Sequence, residues 1–416
     1  MPQDADLNFN RLFNMARARF AGAGLLFVAL LALVAQPVPA AAQGTFQTPA
    51  PSAILVDFST GAILFEKDAD RRMAPGSLVK IMTAAVVFNE LHAGKITPDT
   101  PFMVSVNAWR RGGGPSGGAA MFAEVNKPVR VEDLLIGALT VSGNDAAIAL
   151  AEGVSGTETA FAMKMNELGS AIGLTNSAFR NAQGFADPDQ VSTAKDMAQL
   201  ARYVIRTFPQ YYPLFSVPDI EWSKIKQRNR NPLLNAGVGA DGLQAAWLRD
   251  VGYHIVGSAL QANRRLIVVV MGAKSEKERI EEAKRLLEWG FHSFEYRQLF
   301  AAQTELGRAN VFGGDAGSVG LAPREPVMLL LPRNTPDKIV SRVTYTSPLR
   351  APVAKGTEVA KLEIMRGQLK VLEVPLVTTE EVAVGSLWQR ALDGATVTVG
   401  DTARDLTNQL MAKLKK

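Results

Sequence analysis

Two short spacings in this sequence carry side chains able to do covalent chemistry. Ser77-Leu78-Val79-Lys80 sets a hydroxyl and an amine three residues apart, which on a helix places both on one face within reach of each other. A serine hydroxyl is a weak nucleophile until a base removes its proton. A lysine can be that base when burial or nearby positive charge leaves it neutral, and the flanking Leu78, Val79, Ile81 and Met82 supply apolar surroundings. Ser142-Gly143-Asn144 brings a second hydroxyl and an amide, groups that can shuttle a proton and hold a substrate carbonyl. Taken singly, such a tripeptide is more often a helix cap and turn.

Other candidates are weaker. Ser192–Lys195 and Ser223–Lys226 repeat the serine–lysine spacing, but only Ser77 follows Pro75-Gly76 at a helix start just after a strand pair. Gly114-Pro115-Ser116-Gly117-Gly118 fits the spacing of a nucleophile elbow, which needs a strand directly before it and a histidine partner. Arg110-Arg111-Gly112-Gly113 precedes it instead, so it reads as a flexible glycine loop. Phosphate binding is disfavoured because no Gly-Lys-Ser/Thr follows. The chain has no cysteine, which excludes disulfides and thiolate metal sites. Its three histidines, His92, His254 and His292, lie too far apart to suggest a zinc helix.

The elements around these residues follow from periodicity. Residues 53–65 read as strand, turn and strand. From Ser77 onward Ile81, Ala84, Ala85, Phe88 and Leu91 fall on one helical face. Helical stretches at 131–140 and 145–152 flank the Ser-Gly-Asn tripeptide, and 161–172 and 193–208 are also helical. A hairpin is expected at 253–271 and an amphipathic helix at 278–289. After about residue 295 short β-rich segments (327–331, 340–345, 358–364, 369–376) alternate with Gly and Pro turns, which indicates a modest all-β domain. At 416 residues two or three domains are expected.

The net charge of +5 is small and its Lys and Arg are scattered, so nucleic-acid binding gains little support. Arg11, Arg17 and Arg19 precede an apolar stretch over 21–35, followed by Pro37, Pro39 and Ala40-Ala41-Ala42. This is the pattern of a cleaved export signal, with cleavage near Ala42 and a periplasmic mature protein. The apolar run is shorter than the roughly 20 residues a spanning helix needs. At the other end Leu406, Leu410, Met411 and Leu414 give a narrow apolar face, suited either to peripheral contact with the inner membrane or to packing on the β domain.

The order of motifs resembles that of penicillin-binding proteins and class A β-lactamases, in which Ser-x-x-Lys and Ser-x-Asn are followed by Lys-Thr-Gly on a strand. Stretches 74–83, 141–146, 192–198, 227–231 and 286–291 are similar to the D-alanyl-D-alanine carboxypeptidase branch, and the likeness covers about 53–384. It implies an α/β, β-lactamase-like domain and a small all-β sandwich. The expected division is a signal peptide at 1–42, the peptidase domain at 43–298, the sandwich at 299–386 and a tail at 387–416. By the same resemblance Ser77 is the nucleophile, Lys80 the base, and Ser142 and Asn144 assist. The Ser77 and Trp247 N–H groups form the oxyanion hole. The substrates are peptidoglycan stem peptides ending in D-Ala-D-Ala, β-lactams are covalent inhibitors, and no metal or cofactor is implied.

One motif departs. Where the family has Lys-Thr-Gly, this chain has Gln244-Ala245-Ala246, followed by Trp247. In relatives the lysine meets the substrate carboxylate, the threonine hydrogen-bonds it and the glycine admits close approach. Gln244 keeps a donor without charge, Ala245 loses the hydroxyl and Ala246 adds a methyl. Reduced turnover is expected. The alternative is a degenerate relative that binds peptidoglycan or a partner without turnover.

Overall fold

The computed structural model describes residues 46–333, 339–366 and 369–390. The expected signal peptide and the expected helix after residue 401 lie outside them. The chain divides into two compact units, one ending at Ser293 and the other beginning at Phe294.

The first unit is built on five antiparallel strands. β1 (Ser52–Asp57) and β2 (Ile63–Lys67) form the expected strand pair. They are followed by α1 (Val79–His92), the short strand β3 (Pro101–Met103) and α2 (Val106–Gly112). Next come β4 (Pro128–Arg130), α3 (Val131–Thr140), α4 (Asn144–Ser155), α5 (Glu158–Ala171) and α6 (Ala194–Thr207). A small hairpin, β5 (Asp219–Trp222) and β6 (Ile225–Arg228), precedes β7 (Ala240–Leu248), β8 (Gly252–Gln261), β9 (Arg264–Ala273) and α7 (Glu276–Ser293). The main sheet runs β2-β1-β9-β8-β7, which leaves β7 at an edge.

Both faces of this sheet are covered, which explains the nearly unbroken apolar runs of β1 and β9. Side chains alternate across a strand. Ile54, Val56, Ile267, Val269 and Met271 therefore join the core beneath the helical layer. Leu55, Val268 and Val270 pack with Ala283, Leu286 and Leu287 of α7. Each such fully buried apolar side chain contributes about 1.5–3 kcal/mol.

The single apolar stripe expected for α1 is too narrow a description. Every residue from Val79 to Phe88 is buried, because the helix runs through the middle of the helical layer. Helices enclosed on all sides are apolar all round. Lys80 sits in this run, and its charge has no exit to solvent.

The second unit is all-β. β10 (Phe294–Phe300) pairs with β13 (Val327–Pro332) in one sheet. The other sheet contains β11 (Gly307–Phe312), β12 (Ser318–Pro323), β14 (Ile339–Tyr345), β15 (Leu349–Arg350), β16 (Glu358–Arg366) and β17 (Leu369–Thr378), in the order β14-β16-β17-β12-β11-β15. Alternate residues Val327, Leu329 and Leu331 join Leu321, Leu362, Ile364 and Leu376 in its core. β10 crosses the boundary expected at 298/299. It pairs with β13, so the break falls ahead of it.

Candidate active site

Ser77 lies in a short 3-10 turn, Gly76–Leu78, that feeds directly into α1. Lys80, one turn further on, is 0 % exposed. Its Nζ lies 3.2 Å from Ser77 Oγ, 2.8 Å from Asn144 Oδ1 and 2.7 Å from the backbone oxygen of Gln183. Burial, and then the positive charge of Arg230, bring the lysine pKa from 10.5 down to about 7, against the opposing pull of Asp145. A neutral amine has two hydrogens and one lone pair. The amide oxygen and the carbonyl are pure acceptors, so they take the two hydrogens. The lone pair then faces the Ser77 hydroxyl, which is the orientation a base needs.

The Ser-Gly-Asn tripeptide links α3 to α4. Ser142 sits at φ 58, a left-handed conformation that costs a non-glycine residue about 1–2 kcal/mol. The bend is braced on both sides. Gly143 N–H donates to Gly137 O at 3.0 Å, and Asn144 N–H to Ala119 O at 2.8 Å. The Asp145 carboxylate accepts the N–H groups of Met121 (2.8 Å) and Ala123 (3.0 Å). Burial pushes that carboxyl up in pKa while these N–H bonds draw it down. Gly112 permits the arrangement, because a Cβ there would overlap the Asn144–Asp145 backbone. Asn144 is thereby aimed at Lys80. Ser142 Oγ is buried beside it, with no partner among the described residues.

A cleft of about 1280 Å³ opens over these groups, lined by Ser77, Ser142, Asn144, Gln183, Arg230 and the edge of β7, among others. β7 packs on the Ser77 turn. A Cβ at Gly76 would lie 2.6 Å from Leu248 Cδ1 and 3.4 Å from Ala246 Cβ. The expected site residues on β7 separate. Ala245, Ala246 and Trp247 line the cleft, and Gln244 does not. Gln244 is 0 % exposed. Its Oε1 accepts the N–H of the adjoining Ala245 at 3.0 Å, and its Nε2 has no partner among the described residues. Trp247 is 57 % exposed and leans on Tyr253, with ring centroids 6.1 Å apart.

Arg230 lines the cleft and its near neighbour Arg228 does not. The backbone N–H of Arg230 is fixed on Thr140 O at 2.9 Å. Arg249 and Arg279, which belong to none of the sequence motifs, also line the cleft. Arg279 is held in place. It donates to Ala246 O at 3.1 Å and to Glu276 Oε1 at 3.1 Å, and lies 5.4 Å over the Tyr253 ring.

The competing serines are engaged elsewhere. Ser116 Oγ donates to Gly113 O at 2.7 Å within a 3-10 turn that follows α2, not a strand, and no histidine lines the cleft. Ser192 Oγ meets Ser177 Oγ at 2.7 Å, while Lys195 pairs with Asp70 on the surface. Ser223 Oγ donates to Phe122 O, and Lys226 faces Asp219. Among the described residues no cluster is suited to a metal ion, and no helix is long and apolar enough to cross a membrane.

A buried lysine within hydrogen-bond distance of a serine in an open cleft is the arrangement of a serine hydrolase whose base is a lysine. The sequence profile of the D-alanyl-D-alanine carboxypeptidase family matches residues 38–275, and that of the penicillin-binding protein 5 C-terminal domain matches 294–384. The chain is 35 % identical to the D-alanyl-D-alanine carboxypeptidase DacC of Escherichia coli, over 89 % of this chain and 93 % of that one. It is also 35 % identical to DacA of Haemophilus influenzae, over 85 % and 90 %. The crystal structure of penicillin-binding protein 5 from Haemophilus influenzae superposes with a TM-score of 0.74 at 35 % identity, covering 82 % of this chain and 99 % of that one. The chain belongs to the D-alanyl-D-alanine carboxypeptidase family of serine peptidases.

Proposed function

We propose that the cleft removes the terminal D-alanine from peptidoglycan stem peptides through an acyl-enzyme on Ser77. The observation that carries this reading is the buried Lys80 amine, whose Nζ lies within hydrogen-bond distance of Ser77 Oγ, Asn144 Oδ1 and the Gln183 backbone oxygen. Lys80 takes the Ser77 proton as Oγ attacks the carbonyl between the two D-alanines. The Ser77 and Trp247 N–H groups receive the developing oxyanion. Ser142 passes the proton to the departing amine, and water then releases the shortened peptide. β7 is an edge strand, so an extended peptide can lie along it as an added strand. The terminal carboxylate falls to Arg230 and Arg279, since Gln244 is turned away from the cleft. Export by the N-terminal signal puts this chemistry in the periplasm.

A fluorescent penicillin should label the protein, and mass spectrometry should place the adduct on Ser77. Label on Ser116, Ser192 or Ser223 would overturn the assignment. A second reading, binding of peptidoglycan without turnover, is favoured by one feature: Gln244 brings no charge and occupies the Ala245 N–H. Labelling without D-alanine release from a stem peptide would support it.

A further inference from the structure

Gln183 is held against Lys80 by a loop whose backbone is tied down by side chains. Asn181 Oδ1 accepts the N–H groups of Gly184 (2.8 Å) and Phe185 (3.0 Å). Gln190 Oε1 accepts those of Arg180 (3.0 Å) and Asn181 (3.1 Å), and its Nε2 donates to Phe185 O at 2.9 Å. Thr83 of α1 donates to Ala182 O at 2.6 Å. Gly184, at φ +89, lies so close to the Ser77 turn that a Cβ there would overlap the backbone oxygen of Gly76. The Gln183 backbone oxygen accepts from Lys80.

The side chain of the same residue is left over. Gln183 lines the cleft and is 1 % exposed, and neither Nε2 nor Oε1 has a partner among the described residues. A buried amide without partners is an expensive feature beside a loop in which the Asn181 and Gln190 side chains are both engaged. It leaves this amide free to bond a group that enters the cleft.

We infer that Gln183 is a catalytic residue of the second half-reaction, its amide holding the water that hydrolyses the acyl-enzyme. The inference rests on the acyl-enzyme reading above. Once Ser77 Oγ is esterified it has no proton to give, and the Lys80 lone pair is free to accept one from water. A water between Lys80 Nζ and Gln183 Oε1 gives one hydrogen to each. Its oxygen bonds to the acyl carbon and its proton passes to Lys80. As the bond from carbon to Ser77 Oγ breaks, that proton returns to Oγ and the peptide leaves as a carboxylic acid. Gln183 is neutral, so it orients the water without competing for the proton.

The test separates the two half-reactions. The natural protein and Gln183→Ala are acylated with a fluorescent penicillin, and adduct formation and loss are timed, with and without hydroxylamine. Gln183→Ala should acylate Ser77 within about twofold of the natural rate, which also reports an intact fold, and lose the label about 10- to 100-fold more slowly. Hydroxylamine, which attacks without a positioned water, should remove the adduct from both proteins at similar rates. Gln183→Asn, which keeps a shorter amide, should recover part of the hydrolysis. Unchanged label loss in Gln183→Ala overturns the assignment, as does an equal fall in acylation, hydrolysis and hydroxylamine release. If the natural protein takes no label on Ser77, the acyl-enzyme reading itself fails, and this inference with it.

Discussion

On the helical side of the cleft the Lys80 amine has a partner in every direction. On the β7 side, the residue standing where relatives carry a lysine is sealed away and bonded to its own neighbour. Helix, tripeptide and loop converge on one amine from three separate parts of the chain. Relative to the family motif, β7 has meanwhile lost a charge at Gln244 and a hydroxyl at Ala245, and gained a methyl at Ala246. The contrast separates two tasks that a peptidase site combines. Activating the nucleophile depends on burial and fixed acceptors, and these are intact. Gripping the substrate's end depends on groups that meet it in the cleft, a part that the proposed reading gives to Arg230 and Arg279, both of which line it.

The largest effect should come from the intact side. Ser77→Ala should abolish penicillin labelling and lower D-alanine release by about 10⁴-fold or more. Residual turnover above that level would mean another group attacks. Lys80→Met keeps the buried shape and removes the base, with an expected loss of about 10²–10⁴-fold in acylation rate. Arg279→Ala removes a held cation from the weakened side. D-alanine release should fall about 10- to 100-fold, mostly in KM, because a charge-assisted hydrogen bond contributes about 1.5–3 kcal/mol. Acylation by a β-lactam, driven by ring strain, should fall less. Equal losses in both reactions would assign Arg279 to β7 support instead.

The pH profile sharpens the same contrast. Lys80 accepts a proton only when neutral, so acylation should rise with pH through about 7 and fall about tenfold per pH unit below it. Arg230→Gln removes a like charge that disfavours the ammonium form. The lysine pKa should rise, and the acidic limb should move to higher pH. A limb that stays in place would show that burial alone sets the base.

The intact side was also the legible side. Ser77 and Lys80 are marked by side-chain type and helical spacing, Ser142 and Asn144 gain their weight from a motif order that resembles the family's, and the helices flanking the tripeptide follow from apolar periodicity. Gln183 supplies Lys80 with a backbone oxygen, which any residue type can offer, so composition gives no sign of it. The one available signal was the cluster of Asn, Gln, Gly and Asp over 181–190 between two helical stretches. Arg279 looks in sequence like one more charge on an amphipathic helix; only the fold turns it over Tyr253 and toward Ala246 O. Gln244 lies on β7 with its side chain buried, a direction that its place in a motif does not reveal, because alternation along an edge strand does not say which face the cleft occupies. The short hairpin β5–β6 and the pair β3–β4 were too brief to show a period.

The comparison between the two sides is tested most directly by rebuilding the strand. Replacing Gln244-Ala245-Ala246 with Lys-Thr-Gly should raise kcat/KM for D-alanine release from a stem peptide about tenfold, equivalent to about 1.4 kcal/mol of transition-state stabilisation. The rate of β-lactam acylation should change much less. If the natural protein matches or exceeds the rebuilt one in D-alanine release, the strand is not a weakened grip, and the account of this wall is wrong.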